Sequence, residues 1–251
     1  MTTRIFHLSD PHFGAENRNA LDVFAEAVRT EGADVVLCTG DLTQRATHPQ
    51  FEAAARYFGQ FDVPVVMCAG NHDMPYYNMW ERLSDPYRRY RKVAERVASS
   101  FESSHVVLIP LVTTVNIQPR FPWVDGLIRR PALDLTLSRL RALEGDARHK
   151  IVFCHHPLLP AREGLKNPTI NGDRAFAALA QAGAQAVISG HVHIPFDQTR
   201  QAGGQAMRML GVGTLSTRLR GAPPSFQIVS CAQGEALRVE RRILSERAPL
   251  A

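Results

Sequence analysis

Up to Asp73 the chain alternates short apolar runs with amphipathic stretches. Arg4–Ser9 reads as a buried strand that ends at Asp10-Pro11-His12-Phe13-Gly14. Leu21, Phe24, Ala25 and Val28 then recur at three- and four-residue spacing, which predicts a helix with one buried face, and Gly32 stops it. Asp34–Cys38 is a second buried strand, ending at Gly40-Asp41. A helix is expected over about 49–58, followed by a third strand, Val63–Ala69, which ends at Gly70-Asn71-His72-Asp73. This β-α-β-α-β rhythm predicts an α/β fold with a parallel sheet covered by helices.

Between Asp73 and Val106 the rhythm breaks. Ser84-Asp85-Pro86 has the form of a helix start, and Tyr87, Tyr90, Ala94, Val97 and Phe101 repeat at alternating three and four. Arg88, Arg89, Arg91, Lys92 and Arg96 fill the other faces. The plain expectation is a helix lying on the body with a solvated basic side; the alternatives are a lid over a site or a subunit contact in a homodimer. Val106–Ile109 and Leu111–Ile117 read as strands, 120–126 as a loop, Leu133, Leu137 and Leu140 as a helix, and Ile151–Cys154 as a strand ending at His155-His156-Pro157. After a polar loop to Gly172, Asp173 is expected to cap a helix that Gly183 closes. Ala186–Ser189 is a strand ending at Gly190-His191-Val192-His193. Strand-turn-strand patterns near 196–201, 205–212, 225–231 and 236–242, with turns at Gly203-Gly204 and Gln233-Gly234, suggest antiparallel pairing. The expected organisation is a single domain over 1–251, with a helical insertion at about 75–103 and antiparallel strands at about 196–242.

Composition changes this picture little. A hydrophobic content of 45% with 21% charged residues is that of a globular chain. No apolar run approaches a membrane span, and the N-terminus reaches Asp10 without a long apolar core, so the cytoplasm is expected. The four cysteines show no CxxC spacing, which argues against thiolate metal sites and redox motifs and for reduced, space-filling thiols. The formal charge of +5 suits an anionic substrate.

The chemistry gathers at strand ends: Asp10 and His12, Asp41, Asn71 and His72, His155, His191 and His193. Open α/β sheets collect their ligands at that edge. In an extended backbone, residues i and i+2 point to one side, so Asp10 with His12 and His191 with His193 can each present two ligands to one place. Oxygen and imidazole donors without thiolates suit manganese, iron, zinc or nickel, and there are too many here for one ion. Two ions about 3.5–4 Å apart need a carboxylate that reaches both, and Asp41, alone at its strand end, is the natural bridge. His7, His48, His105 and His149 read as structural or surface residues.

These motifs resemble those of the calcineurin-like metallophosphoesterases. The family pattern D-x-H, G-D, G-N-H-[DE], H and G-H-x-H is met by Asp10-Pro11-His12, Gly40-Asp41, Gly70-Asn71-His72-Asp73, His155 and Gly190-His191-Val192-His193. The resemblance implies a four-layer α-β-β-α sandwich, two mixed β-sheets flanked by helices. It implies two divalent or mixed-valence ions (manganese, iron or zinc), one on Asp10, His12, Asp41 and His193 and the other on Asp41, Asn71, His155 and His191. His72 would be the catalytic residue outside the ligand set, and Asn71 would also touch substrate. The family's ligand stands two residues before the proline, which favours His155; His156 would lie behind it or face substrate. Asp73 orients His72 or caps the following turn.

The expected chemistry is attack by a hydroxide held between the ions, in line with a leaving oxygen that His72 stabilises or protonates. The phosphoprotein-phosphatase pattern G-D-x-V-D-R-G is absent, and Gln44 stands where an Asp would pair with the catalytic His. Leu8–Gly14, Gly-Asn-His-Asp and His-His-Pro look most like the branch acting on cyclic nucleotides and other small phosphodiesters. Gly213–Arg220 either brings Arg218 and Arg220 to a phosphate or is an ordinary basic loop. Alternatives are a hydrolase of nucleotide-linked lipid pyrophosphates, a nuclease (nucleic acid being the less favoured partner) and a catalytically silent scaffold of the same fold.

Overall fold

Strands that are apolar at every position must be covered on both faces, and the order of elements supplies that cover. The computed structural model describes residues 2–121, 123–162 and 164–244. Pro122, in the loop expected over 120–126, and Glu163, in the loop expected to Gly172, lie outside the described residues.

The first sheet is built from β1 (Thr3–Leu8), β2 (Val35–Cys38) and β3 (Val65–Met67), all parallel, with β11 (Ser225–Cys231) and β12 (Arg238–Ile243) added antiparallel in the order β12-β11-β1-β2-β3. The second sheet has β4 (Val106–Pro110), β6 (His149–Phe153), β8 (Ala186–Ser189), β10 (Gln205–Gly211) and β9 (Phe196–Ala202), in that order. Here β4, β6, β8 and β10 run parallel and only the β9–β10 hairpin is antiparallel, so the late strands are not uniformly antiparallel. Two-residue strands β5 (Gly126–Leu127) and β7 (Thr169–Ile170) pair separately.

Alternation assigns each strand residue to a layer. Ile5, Val35 and Leu37 meet Ile151, Phe153, Ala186 and Ile188 between the sheets. Phe6, Leu8, Val36 and Cys38 face outward onto α1 (Arg18–Thr30) and α2 (His48–Phe58). Val152, Cys154 and Val187 face the other way, onto α5 (Arg130–Ala142) and α6 (Gly172–Gln181). Helix, sheet, sheet, helix is the result, as the resemblance implied. No helix of the described residues is long and apolar enough to cross a membrane.

Several local expectations are corrected. Ser84, expected to start a helix, instead ends one, α3 (Met79–Ser84), and the expected helix is α4 (Arg88–Val97). Asn78 caps the first by accepting from Glu81 N, so the turn begins earlier, and Pro86 holds Asp85 out of helical geometry between them. Tyr90, Val93, Ala94 and Val97 of α4 join the layer over the first sheet. The strand expected at 111–117 does not form: Leu111 N bonds Phe153 O, Thr113 O accepts from Leu127 N, and Val112 is left 53% exposed. Asn171, at φ 66°, occupies the cap of α6, and Asp173 lies inside the first turn.

Candidate metal centre

The loops leaving β1, β2 and β3 meet those leaving β6 and β8 at the same edge of the two sheets. They do so by a device that extended alternation does not supply. Asp10, His12, Asp41, His191 and His193 all have positive φ, between 45° and 68°. For residues other than glycine this left-handed region is sparsely populated and clusters at functional sites. Asp10 with His12, and His191 with His193, therefore converge through bends and not through extended strands.

The loops approach so closely that side chains are excluded between them. A Cβ on Gly70 would lie 2.0 Å from Asp41 Oδ1 and 2.2 Å from Asp41 N. One on Gly190 would lie 1.8 Å from Ser9 Oγ. Bonds across the sheets fix the approach: His191 N donates to Asp10 Oδ2 at 2.9 Å, and Thr214 Oγ1 donates to Asp10 O at 2.6 Å.

Three of the imidazoles are each oriented by a backbone carbonyl. Nδ1–H of His12 donates to Thr43 O (3.3 Å), that of His155 to Thr39 O (2.7 Å) and that of His193 to Arg218 O (2.6 Å). Such bonds set the tautomer and leave Nε2 to face inward. There, His12 Nε2 is 3.3 Å from His193 Nε2 and 3.7 Å from Asp41 Oδ2, and His193 Nε2 is 3.0 Å from Asp10 Oδ1. His155 Nε2 is 3.5 Å from Asp41 Oδ2 and 3.1 Å from Asn71 Oδ1. His191 Nδ1 is buried without a hydrogen-bond partner. Nitrogen lone pairs, carboxylate oxygens and an amide oxygen thus share one buried volume, and a cation is what satisfies such a set. Ligand atoms of Asp10, His12 and His193 lie within 4.8 Å of one another, as do those of Asp10, Asp41 and His155 and those of His155, His156 and His191.

The electrostatics suit the same end. Burial alone would raise the Asp41 carboxyl, but His155, His72 and His12 hold it well below the usual range. Asp10 is likewise held low against burial, chiefly by His193. Burial depresses His12 to about 3, against the charges of Asp41 and Asp10, and with help from His156 and His155 it holds His191 well below its usual value. His155 goes the other way: Asp41 overcomes burial and carries it up to about 9, so a cation bound there would displace the Nε2 proton.

His156 does not face this volume. Its Nε2–H donates to Val124 O at 3.0 Å and its Nδ1 is 3.1 Å from Thr113 Oγ1, so neither nitrogen is left to give. The ring packs on His191 at 4.4 Å and on His155 at 4.6 Å and is buried. Burial pushes its pKa down to about 3. Asp73 neither touches the His72 ring nor caps a later turn. Its carboxylate accepts from Gly70 N, Leu42 N, Thr43 N and Thr43 Oγ1, tying the Asn71–Asp73 turn to the loop after Asp41. Burial, then the Asp41 charge, pushes it up to about 7 against those donors.

His72 stands at the rim, half-buried, with Nδ1–H on Gln44 O at 2.8 Å. The backbone of Gln44 thus holds the ring, and the side-chain type there is immaterial to that contact. Arg218 Nη1 reaches His72 Nε2 at 3.0 Å and His12 Nε2 at 3.3 Å. Arg220 Nη1 donates to His191 O at 3.2 Å. The carbonyls of Thr39, Thr43, Gln44 and Arg218 carry no signature in the sequence, since any residue offers one. Ser9, whose hydroxyl donates to Asp10 Oδ2 at 2.6 Å, lies within the Leu8–Gly14 pattern, but the pattern assigns no role to it.

Comparisons with known proteins bear on the family and the fold. A family model described as calcineurin-like phosphoesterase matches residues 3–195. The chain is 25% identical over 215 residues to a probable cyclic nucleotide phosphodiesterase of Synechococcus, covering 80% of this chain and 77% of that one. It is 25% identical over 218 residues to a glycerophosphodiester phosphodiesterase of Enterobacter lignolyticus, covering 78% and 73%. Among solved structures, a dimetal phosphatase from Danio rerio has the same fold, with a TM-score of 0.69 at 12% identity over 96% of both chains.

Proposed function

The chain belongs to the calcineurin-like phosphoesterases and is a metal-dependent phosphoric ester hydrolase, and from that premise we propose that it cleaves a phosphodiester bond of a small, cyclic nucleotide-like substrate at a pair of metal ions. One observation carries the reading: a single oxygen, Asp41 Oδ2, lies 3.7 Å from His12 Nε2 and 3.5 Å from His155 Nε2, between two sets of donors. Asp10, His12, Asp41 and His193 would hold one ion, and Asp41, Asn71, His155 and His191 the other. Manganese, iron and zinc suit these donors. When bound, such ions supply Lewis acidity and a water acidic enough to attack phosphorus near neutral pH.

The chain's own residues do the rest. The Arg218 guanidinium, now donating to His72 Nε2, has a better acceptor in a phosphoryl oxygen, which binds it as a charge-assisted pair. That exchange frees His72 Nε2 to take up a proton from solvent, and the imidazolium N–H then donates to the leaving oxygen as negative charge grows on it. Gln44 O keeps the ring in place throughout by holding Nδ1. Asn71 belongs to the same turn, which Asp73 anchors through Gly70 N.

Relatives named for cyclic nucleotides and for glycerophosphodiesters both support a small diester. A cytoplasmic location goes with the reading and suits four unpaired cysteines. The test is His72→Ala. The variant is expected to keep its full metal content and lose about 100-fold or more of its turnover of a chromogenic phosphodiester. Undiminished turnover would remove His72 from the mechanism, and a metal-replete wild-type chain inert toward every small diester would remove the phosphodiesterase reading.

A further inference from the structure

The segment that leaves the Asn71–Asp73 turn puts large rings into solvent beside the centre. Tyr76 is 59% exposed and Tyr77 is 70% exposed. The segment is nonetheless well fastened. Met74 is buried beneath it, and buried Arg82 donates to Pro75 O at 3.4 Å and to Asn116 O at 3.0 Å. The two tyrosine rings meet edge to face at 5.3 Å. The Arg45 guanidinium lies 5.4 Å from the Tyr76 centroid and 5.7 Å from that of Tyr77, and its Nη1 donates to Tyr77 Oη at 2.8 Å. Arg45 follows directly on Gln44, the residue whose carbonyl holds His72. A group of flat side chains in mutual contact therefore begins at the residue next to the one whose carbonyl holds the histidine at the rim.

We propose that Arg45, Tyr76 and Tyr77 form the subsite for the organic group of the ester on the His72 side, and that this group is a planar aromatic ring of the nucleobase class. The inference rests on the phosphodiesterase reading above. Guanidinium planes and tyrosine faces both stack on flat rings, and rings already held by Arg45 lose little freedom when a ligand arrives. Stacking of this kind tolerates any base, so the subsite separates aromatic from non-aromatic esters and does not tell one base from another. The mouth also carries guanidiniums: Arg218 Nη1 reaches His72 Nε2 at 3.0 Å, and Arg220 Nη1 donates to His191 O at 3.2 Å. A phosphate carrying a ring matches that combination.

The test uses the manganese-loaded full chain and two readouts. The first is the ratio of kcat/KM for adenosine 3′,5′-cyclic monophosphate to that for glycerophosphoethanolamine. Arg45→Ala and the double variant Tyr76→Ala/Tyr77→Ala are each expected to lower this ratio about tenfold or more. The second is calorimetric binding to the wild-type chain, where adenosine 5′-monophosphate is expected to bind about tenfold more tightly than ribose 5-phosphate. A ratio that moves by less than about threefold in both variants, or equal binding of the two phosphates, would overturn the subsite. A wild-type chain that turns over neither diester would instead overturn the phosphodiesterase reading, and the two binding constants would still decide whether a ring is recognised.

Discussion

A left-handed backbone at an aspartate or histidine costs about 1–3 kcal/mol, and five residues of the centre accept it. Their neighbours hold them there, and Asp73 is one of the holders. Asp73→Asn keeps the shape but sets an amide N–H against one of the donors from Leu42, Thr43 or Gly70. We expect it to destabilise the metal-free chain by about 1–3 kcal/mol in urea unfolding. His7 gives a separate prediction. It is buried between Thr39 Oγ1 and Gln227 Nε2, and burial lowers its pKa to about 3, against the charge of Asp10. The unfolded chain therefore takes up this proton below pH about 6.5 while the folded chain resists it until about 3. Stability is lost as pH falls through that window, at up to about 1.4 kcal/mol per pH unit. His7→Gln should flatten the slope of unfolding free energy against pH there; parallel wild-type and variant curves would contradict the assignment.

At the scale of elements, the first three strands were legible because their residues are apolar on both faces, and the helices between them because one stripe is apolar. Leu111–Ile117 was misread for a related reason. Its apolar alternation copies a strand, but its backbone bonds go to Phe153 and Leu127 at single points and build no ladder. The two-residue strands β5 and β7 are too short to leave any period. The ligand identities could be read from strand-end motifs, whereas the bends that aim them could not, since an aspartate or histidine in the left-handed region looks like any other in sequence. Glycine is the exception. Gly70 is bare because the Asp41 backbone passes beside it, so Gly70→Ala should push the two loops apart. We expect elemental analysis of that variant to find fewer ions per chain than in the wild type; an unchanged content would mean that the loops can part without harm to the centre. Val93 on α4 packs with the layer over the first sheet. Val93→Ala should cost roughly 1–3 kcal/mol, as buried packing does and an exposed lid face would not.

For the whole molecule, the donors come from both sheets: Asp10, His12, Asp41 and Asn71 from the first, His155, His191 and His193 from the second. Ions bound there would brace the sandwich at one edge, because they bind the folded chain and not the unfolded one. Chelation followed by desalting should lower Tm by about 5 °C or more, and added manganese should restore it. An unshifted Tm would separate the cluster from the stability of the fold. The central claim is that Asp41 joins two ions into one centre. An anomalous-scattering map of manganese-soaked crystals tests it most directly. The account predicts two peaks about 3.5–4 Å apart, with the Asp41 carboxylate reaching both; a single peak, or two peaks that Asp41 does not join, would contradict it.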